Sequence, residues 1–194
     1  MAVKVAQSQE KSKTVKEVVV VVVIILILIG GVYGIDITLK YTLHTSKPVV
    51  VVEGVSMQPT LHEGDILIVK GVDPEDIKIG DIIVFESSES TPHILSNRTV
   101  VHRVIDIKYD EKQGQYLYLT KGDNNETNPI PDGWVPYKDV YGKVIFIIPR
   151  VGIISLWLRK THLAPVIIGA LIVIMIILTI WETPEEEEQK PEKK

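Results

Sequence analysis

The first feature with chemical potential is a serine in a short turn at residues 53–61. This stretch, EGVSMQPTL, interrupts an apolar run and places Gly54 just before Ser56 and Pro59 shortly after it. Proline fixes its own φ angle, and the small residues favour a tight turn at the end of a strand. Such a turn can aim the Ser56 hydroxyl and the Ser56 backbone N–H at one point, which suits a nucleophile with an oxyanion donor. The alternative is an ordinary turn serine.

A serine hydroxyl is a weak nucleophile, so catalysis at Ser56 requires a base. His102 lies within a predicted strand at residues 100–107, VVHRVIDI. Side chains alternate along a strand, which predicts that His102, Val104 and Asp106 share one face. Asp106 is nevertheless too far along an extended strand to bond the imidazole. A histidine in mid-strand is also compatible with a purely structural role.

A catalytic triad adds a carboxylate that orients the histidine. Asp123 and Asp132 follow the next predicted strand and lie in loops from which a side chain can reach across to His102. A serine–lysine dyad with Lys70 as the base is the enzymatic alternative.

Composition excludes several other kinds of site. The chain has no cysteine, which rules out disulfides, thiol catalysis and cysteine-ligated zinc or iron–sulfur centres. The oxygen-rich segment 123–132, DNNETNPIPD, lacks the central glycine of an EF-hand loop. The formal net charge is −4, unlike that of a nucleic-acid binder. We expect no metal, no cofactor and no nucleic-acid partner.

The residues that must position these groups form a domain at 36–163 with the pattern of β structure. Its apolar runs are short and rich in Val, Ile and Tyr, and Gly-Asp turns separate them. These runs lie at 49–52, 66–69, 82–85, 100–107, 116–120 and 144–148. The pattern predicts a mainly β fold, either an antiparallel barrel or a pair of packed sheets.

Two uncharged apolar segments flank this domain, at residues 18–35 and 164–181. A helix of that length rises about 27 Å, close to the thickness of a bilayer's hydrocarbon core. Both segments are therefore predicted to be transmembrane helices. A cleaved signal peptide is the alternative for the first, although no A-x-A-like site follows it. A buried core helix is the alternative for the second.

Charge predicts the orientation of these segments. Residues 1–17 contain four lysines, which favours a cytoplasmic N-terminus and an exported β domain. Two crossings then return the acidic and predicted disordered tail, residues 182–194, to the cytoplasm. Arg159 and Lys160 on the exported side run against this rule. The apolar stretch 151–158 is suited to lie on the membrane surface.

Four segments together resemble type I signal peptidases. GVSMQPT at 54–60 resembles the nucleophile box of that family, and GDIIVF at 80–85 resembles the strand that follows it. VHRV at 101–104 and TKGDNN at 120–125 resemble two later boxes. Bacterial members have a lysine where this chain has His102, so the match is to the archaeal and endoplasmic-reticulum branch, which is Sec11-like.

The resemblance implies roles for individual residues. Ser56 is expected to be the nucleophile, with its own N–H as an oxyanion donor, and His102 the general base. The branch has two acidic positions in its last box, and Asp123 matches the first. Pro129 stands near the second, so we assign Asp132, the nearest carboxylate, as the triad acid and Asp123 as a supporting or alternative acid.

The function implied by the resemblance is that of a membrane-bound serine endopeptidase. Such an enzyme removes signal peptides from exported precursor proteins after small residues at the −1 and −3 positions. The expected partners are signal-peptide-bearing precursors, the lipid bilayer and accessory subunits. The expected location is the cell membrane or the endoplasmic-reticulum membrane, with several crossings and the catalytic domain on the exported side. The non-enzymatic alternative is a membrane-anchored β module that binds peptides or partner subunits.

Overall fold

The computed structural model describes residues 2–88, 91, 97–161 and 163–181. The predicted acidic tail at 182–194 lies outside the described residues. The chain divides into two compact units. One is Gly31–Trp157, and the other consists of Met1–Gly30 and Leu158–Lys194. The helices are α1 (Ala2–Thr42), α2 (Ile153–Thr161) and α3 (Ala164–Trp181). The strands are β1 (Val49–Val51), β2 (Ile66–Lys70), β3 (Ile82–Glu86), β4 (Thr99–Asp110), β5 (Gln115–Lys121), β6 (Gly133–Pro136) and β7 (Val140–Ile148).

Helix α1 contains the predicted membrane segment 18–35 and extends beyond it in both directions. Its part from Val19 to Thr42 is long and apolar enough to cross a membrane, and the protein buries none of it. β-branched residues disfavour a helix in water, but in lipid a helix satisfies every backbone hydrogen-bonding group internally. The apolar part of α1 is thus compatible with membrane anchoring.

Helix α3 has the same bounds as the second predicted membrane segment, Ala164–Trp181. Among the described residues, α1 alone meets the criteria for a membrane span as a single helix. Helices α2 and α3 meet them only when they are counted together as one interrupted span. An apolar N-terminal helix is therefore established, while the second crossing stays a prediction.

The seven strands form one antiparallel sheet in the order β1-β2-β7-β3-β4-β5-β6. This confirms the predicted mainly antiparallel β domain. The last strand, β7, inserts between β2 and β3 and joins the first hairpin to the later strands. In the described chain no pairing joins β1 to β6. The strands consequently make one open sheet instead of the closed barrel or two separate sheets expected from the sequence.

Strand β3 lies at the centre of the sheet and is buried on both faces. Ile83, Val84 and Phe85 are all inaccessible to solvent. Val84 packs in a cluster with Val52, Met57, Leu61, Leu67 and Val69. Ile83 and Phe85 pack in a second cluster with Ile77, Val104, Tyr118 and Val135. Because neighbouring residues of a strand point to opposite faces, the two clusters are cores on opposite sides of β3.

Candidate active site

The loop between β1 and β2 carries Ser56 and is anchored on both sides of it. Val52 is buried before the serine, and Met57 and Leu61 are buried after it, all in the same core cluster. Gly54 has a φ angle of 99°, which is in the left-handed region that favours glycine. The local sequence thus combines a glycine turn with flanking apolar anchors, which hold the half-buried serine at a fixed place.

Strand β4 brings His102 to this serine. The His102 Nε2 atom lies 3.0 Å from Ser56 Oγ, and the His102 Nδ1 atom lies 2.5 Å from Asp132 Oδ2. His102 and Asp132 are 4% and 1% exposed, so water has little access to the pair. An ionised carboxylate only accepts hydrogen bonds, which places the imidazole proton on Nδ1 and leaves Nε2 to accept from the Ser56 hydroxyl.

Thr120, at the end of β5, holds the carboxylate of Asp132. The Thr120 hydroxyl donates to Asp132 Oδ2 over 2.8 Å, and the Asp132 backbone N–H donates to the Thr120 carbonyl over 2.8 Å. Thr120 is completely buried. The side chain and the backbone of Asp132 are therefore fixed by one residue of the neighbouring strand.

Asp123 takes a different partner. Arg103 donates to it twice, from Nε to Oδ1 over 2.9 Å and from Nη2 to Oδ2 over 2.7 Å. Burial opposes ionisation of this carboxyl, but hydrogen bonds from Arg103 and Thr60 outweigh it and hold the pKa of Asp123 below its usual value. The hydrogen bond to Asp123 likewise raises the pKa of Arg103. Arg103 Nη1 also donates to the Gly80 carbonyl over 2.7 Å, which ties β4 to the turn before β3.

The alternation predicted along β4 is wrong at Asp106. The pairing register between β4 and β5 shifts between Val104 and Asp106, which marks a bulge. As a result Ile107, instead of Asp106, packs against the cluster that contains Val104. Asp106 is exposed and accepts a hydrogen bond from the Ile107 N–H.

Lys70 lies at the end of β2 and lines a separate cavity of about 410 Å³ with His44, Asp73, Tyr137 and others. Neither Ser56 nor His102 lines this cavity. In the described part of the chain, Ser56 Oγ is hydrogen-bonded to His102, and no contact joins it to Lys70. The geometry favours a serine–histidine pair over a serine–lysine pair.

Two residues in contact with the site were not singled out from the sequence. Thr120 gives a weak signal, because a polar residue on the buried face of a strand needs a partner. Asn124 gives none beyond its place in the TKGDNN segment, yet it contacts the backbone on both sides of Ser56. Among the described residues, no group of three or more His, Asp and Glu side chains could hold a metal ion, and the expectation of no cofactor stays a prediction.

Chemically, the arrangement of these three side chains is suited to acyl transfer. A hydroxyl bonded to an imidazole, which is in turn bonded to a buried carboxylate, has the connectivity of a Ser-His-Asp triad. The three residues come from three places in the domain: the loop after β1, the first half of β4 and the residue before β6. Such triads are recognised by this geometry and not by the order of the residues in the chain.

Comparisons with known proteins point to the same chemistry. The family model described as signal peptidase, peptidase S26, matches residues 13–113, which is more than half of the chain. The signal peptidase complex catalytic subunit SEC11 of Lachancea thermotolerans is 34% identical over 148 residues, covering 73% of this chain and 83% of that protein. SEC11 of Zygosaccharomyces rouxii is 31% identical over 133 residues, covering 65% of this chain and 74% of that protein.

The human protein SEC11C, also a signal peptidase complex catalytic subunit, is 34% identical over 118 residues. This match covers 58% of the chain and 57% of the human protein, so the chain spans little more than half of that relative. The residues matched by the family model include Ser56 and His102, while Asp123 and Asp132 lie beyond them. The chain therefore belongs to the signal peptidase family, peptidase S26, and is a serine protease of that family.

Proposed function

We propose that this chain removes signal peptides from exported precursor proteins, with Ser56 as nucleophile, His102 as general base and Asp132 as triad acid. The observation that carries the proposal is the unbroken hydrogen-bonded line from Ser56 Oγ through His102 to Asp132. Asp123 has a supporting role, because its carboxylate is already engaged by Arg103.

Acylation begins when Ser56 Oγ attacks the carbonyl carbon at the cleavage site. His102 Nε2 accepts the hydroxyl proton as the Oγ–carbon bond forms, and Asp132 stabilises the resulting imidazolium. The tetrahedral intermediate collapses when the carbon–nitrogen bond breaks and His102 returns the proton to the leaving amine. Water then attacks the acyl-enzyme by the same route, with His102 again accepting and returning one proton.

The negative oxygen of the tetrahedral intermediate requires hydrogen-bond donors. In the part of the chain that the structure describes, no backbone carbonyl accepts the Ser56 N–H, which leaves this donor available to the oxyanion. Gly54 offers no side-chain hydroxyl at the position where some bacterial relatives have one. The Ser56 N–H is thus the donor that we assign.

Pairing in the sheet supports an extended binding mode for the substrate. Residues 99–102 of β4 pair with β3 on one side, while pairing with β5 begins only at Arg103. The opposite edge of 99–102 is not taken by any described strand, and it leads directly to His102. A signal peptide can add to this edge as a strand through main-chain hydrogen bonds. By analogy with the family, small side chains are expected at the −1 and −3 positions of such a substrate.

The membrane arrangement completes the proposal. Spans at 18–35 and 164–181 enclose an exported catalytic domain at 36–163, with residues 1–17 and 182–194 in the cytoplasm. Ile154 and Trp157 of α2 are 70% and 54% exposed, which suits a helix that lies on the membrane surface. Anchoring raises the effective concentration of enzyme and membrane-bound substrate. By analogy with the signal peptidase complex, accessory subunits are expected partners.

Ser56→Ala tests the proposal directly. We expect purified full-length Ser56→Ala in detergent or vesicles to lose conversion of a precursor that carries an A-x-A-type cleavage site. Ser46→Ala is the matched control, because Ser46 is exposed and outside the triad. Processing by Ser56→Ala at the rate of the control would reject the proposal.

His102→Ala and Lys70→Ala separate the two candidate bases. We expect His102→Ala to abolish turnover and Lys70→Ala to retain it, because the imidazole contacts the Ser56 hydroxyl and Lys70 makes no described contact with it. Retained activity in His102→Ala together with its loss in Lys70→Ala would favour the serine–lysine mechanism.

A further inference from the structure

Asn124 makes two hydrogen bonds to the main chain around the nucleophile. Its side-chain Nδ2 donates to the Val55 carbonyl over 3.1 Å, and its backbone N–H donates to the Ser56 carbonyl over 2.9 Å. These carbonyls belong to the two peptide groups that flank the Ser56 α-carbon. A single residue therefore restrains both peptide planes on which the orientation of Ser56 depends.

The first of these bonds acts on the oxyanion donor. The Val55 carbonyl and the Ser56 N–H are parts of one planar trans peptide group, so they point in opposite directions. A donor that fixes the Val55 carbonyl thereby fixes the direction of the Ser56 N–H. We infer that Asn124 is a positioning residue that orients the oxyanion donor of the proposed peptidase toward the scissile carbonyl.

Neighbouring contacts determine the orientation of the Asn124 amide. The Glu126 backbone N–H donates to Asn124 Oδ1 over 3.0 Å, and the Asn128 N–H donates to the Asn124 carbonyl over 2.8 Å. Because an N–H can donate only to the amide oxygen, the amide nitrogen must face the Val55 carbonyl. These hydrogen bonds within the loop hold the Asn124 side chain in one orientation, in which its Nδ2 group faces the Val55 carbonyl.

Gly122 shows how closely this loop approaches the nucleophile. A Cβ atom at Gly122 would lie 2.6 Å from the Ser56 carbonyl oxygen and 3.0 Å from Cγ of Asn128. Backbone at that distance must shift to admit a methyl group. Gly122→Ala consequently disturbs the same peptide group from a different residue and gives an independent test.

The inference rests on the proposed function, because it requires Ser56 to be the nucleophile. The test uses the full-length chain in detergent and compares Asn124→Ala, Asn124→Asp and Gly122→Ala with the wild type. Asn125→Ala is the matched control, since its side chain accepts from Lys121 and makes no described contact with the nucleophile loop. Each variant is assayed for kcat and KM on a precursor peptide and for inhibition by a peptide aldehyde, which forms a tetrahedral adduct with a serine hydroxyl.

We expect the three variants to lose about 10-fold to 100-fold in kcat with little change in KM, because misalignment costs less than the complete loss of an oxyanion donor. The inhibition constant of the aldehyde should rise by the same factor as kcat/KM falls, since both report on tetrahedral species. A role confined to folding would change the active fraction and the unfolding temperature but would leave these constants unaltered for the folded molecules.

Values of kcat within about threefold of the wild type in the folded Asn124 variants, or a loss confined to KM, overturn the inference. If the Asn124 variants do not fold, Gly122→Ala decides alone by the same criteria. Undiminished processing by Ser56→Ala rejects the proposed function itself. Serine-dependent turnover that is insensitive to Asn124 and Gly122 rejects only the positioning role.

Discussion

His102 and Arg103 are neighbours in β4, yet they bind different carboxylates that lie between β5 and β6. His102 bonds Asp132, and their side chains are 5% and 1% exposed. Arg103 bonds Asp123, and their side chains are 31% and 15% exposed. Successive residues of a strand point to opposite faces. The loop between β5 and β6 therefore supplies one carboxylate to a buried pair on one face of β4 and another to a partly solvated pair on the opposite face.

Neighbouring residues of one strand can therefore have different roles, one in turnover and one in stability. A buried pair is poorly screened by water, so a change at Asp132 acts strongly on the imidazole. The Arg103 pair is partly solvated, and Arg103 donates to Asp123, Gly80 and Thr60, which connects the strand to three neighbouring loops. We therefore expect the first pair to control turnover and the second to control stability.

Asp132→Asn and Asp123→Asn give the sharpest contrast. We expect Asp132→Asn to lower kcat by about 10⁴-fold, because an amide can stabilise the wrong tautomer of His102 while keeping the shape of the side chain. Asp123→Asn should retain most of its turnover. Precursor cleavage by the purified full-length proteins measures both, and a thermal unfolding scan confirms that each variant is folded.

The opposite ranking of these two variants, with both folded, would identify Asp123 as the triad acid. Equal and small losses would show that neither carboxylate orients the base.

Thr120→Val tests the support of the buried pair. The substitution removes the hydroxyl that donates to Asp132 Oδ2 and keeps a similar shape. A hydrogen bond to a charged group contributes about 1.5–3 kcal/mol, so we expect kcat to fall about tenfold, with some loss of stability. The measurement is kcat against KM for Thr120→Val and Thr120→Ser.

Thr120→Ser is the matched control, because it restores the hydroxyl. Rescue of kcat by serine supports the positioning role. If the serine variant is as slow as the valine variant, packing of the threonine methyl group matters instead of its hydroxyl.

Arg103→Lys tests the more solvated pair. A lysine cannot reproduce the fork that spans Asp123 and the Gly80 carbonyl, so we expect the free energy of unfolding to fall by about 1–3 kcal/mol. Turnover should change less than in Asp132→Asn. Denaturant titration of the folded protein measures the loss, and Arg98→Lys at an exposed position is the matched control. An unfolding free energy equal to that of the control would show that the fork contributes little.

Much of the fold follows from local sequence signals. The short Val- and Ile-rich runs with Gly-Asp turns predicted the β domain, and the uninterrupted apolar stretch predicted the core of α1. The insertion of β7 between β2 and β3 was not predictable, because it depends on which distant edges meet and not on the pattern within any one strand.

The candidate site likewise has features that the sequence predicts and features that it does not. A glycine turn marked Ser56, and a histidine within an apolar strand marked His102, and the structure brings the two together. The resemblance favoured Asp132 over Asp123 as the triad acid, but their spacing alone could not decide between them, because a loop of irregular conformation does not reveal which face of β4 each carboxylate reaches. The bulge near Asp106 was also invisible, since strict alternation was the only local rule available.

Acid sensitivity offers the finest test of the contrast between the two faces of β4. Hydrogen bonds from Arg103 and Thr60 outweigh burial and lower the pKa of Asp123 in the folded protein, whereas an unfolded aspartate has a pKa of about 3.9. A carboxyl with a depressed folded pKa stabilises the protein fully above the unfolded value, and this contribution disappears as the pH falls through the folded value. The wild type should therefore exceed Asp123→Asn in unfolding free energy by a constant amount above about pH 5, and the difference should shrink below about pH 4.

The unfolding free energies of the wild type and of Asp123→Asn, measured between pH 3 and pH 7, give this difference directly. Asp106→Asn is the matched control, because Asp106 is exposed and has no arginine partner in the described part of the chain. A difference for Asp123→Asn that stays constant down to the lowest pH would mean that the Arg103 fork acts through shape and not through the charge of Asp123. In that case the two pairs on the faces of β4 would differ only in burial, and the charge of Asp123 would not contribute to the stability of the protein.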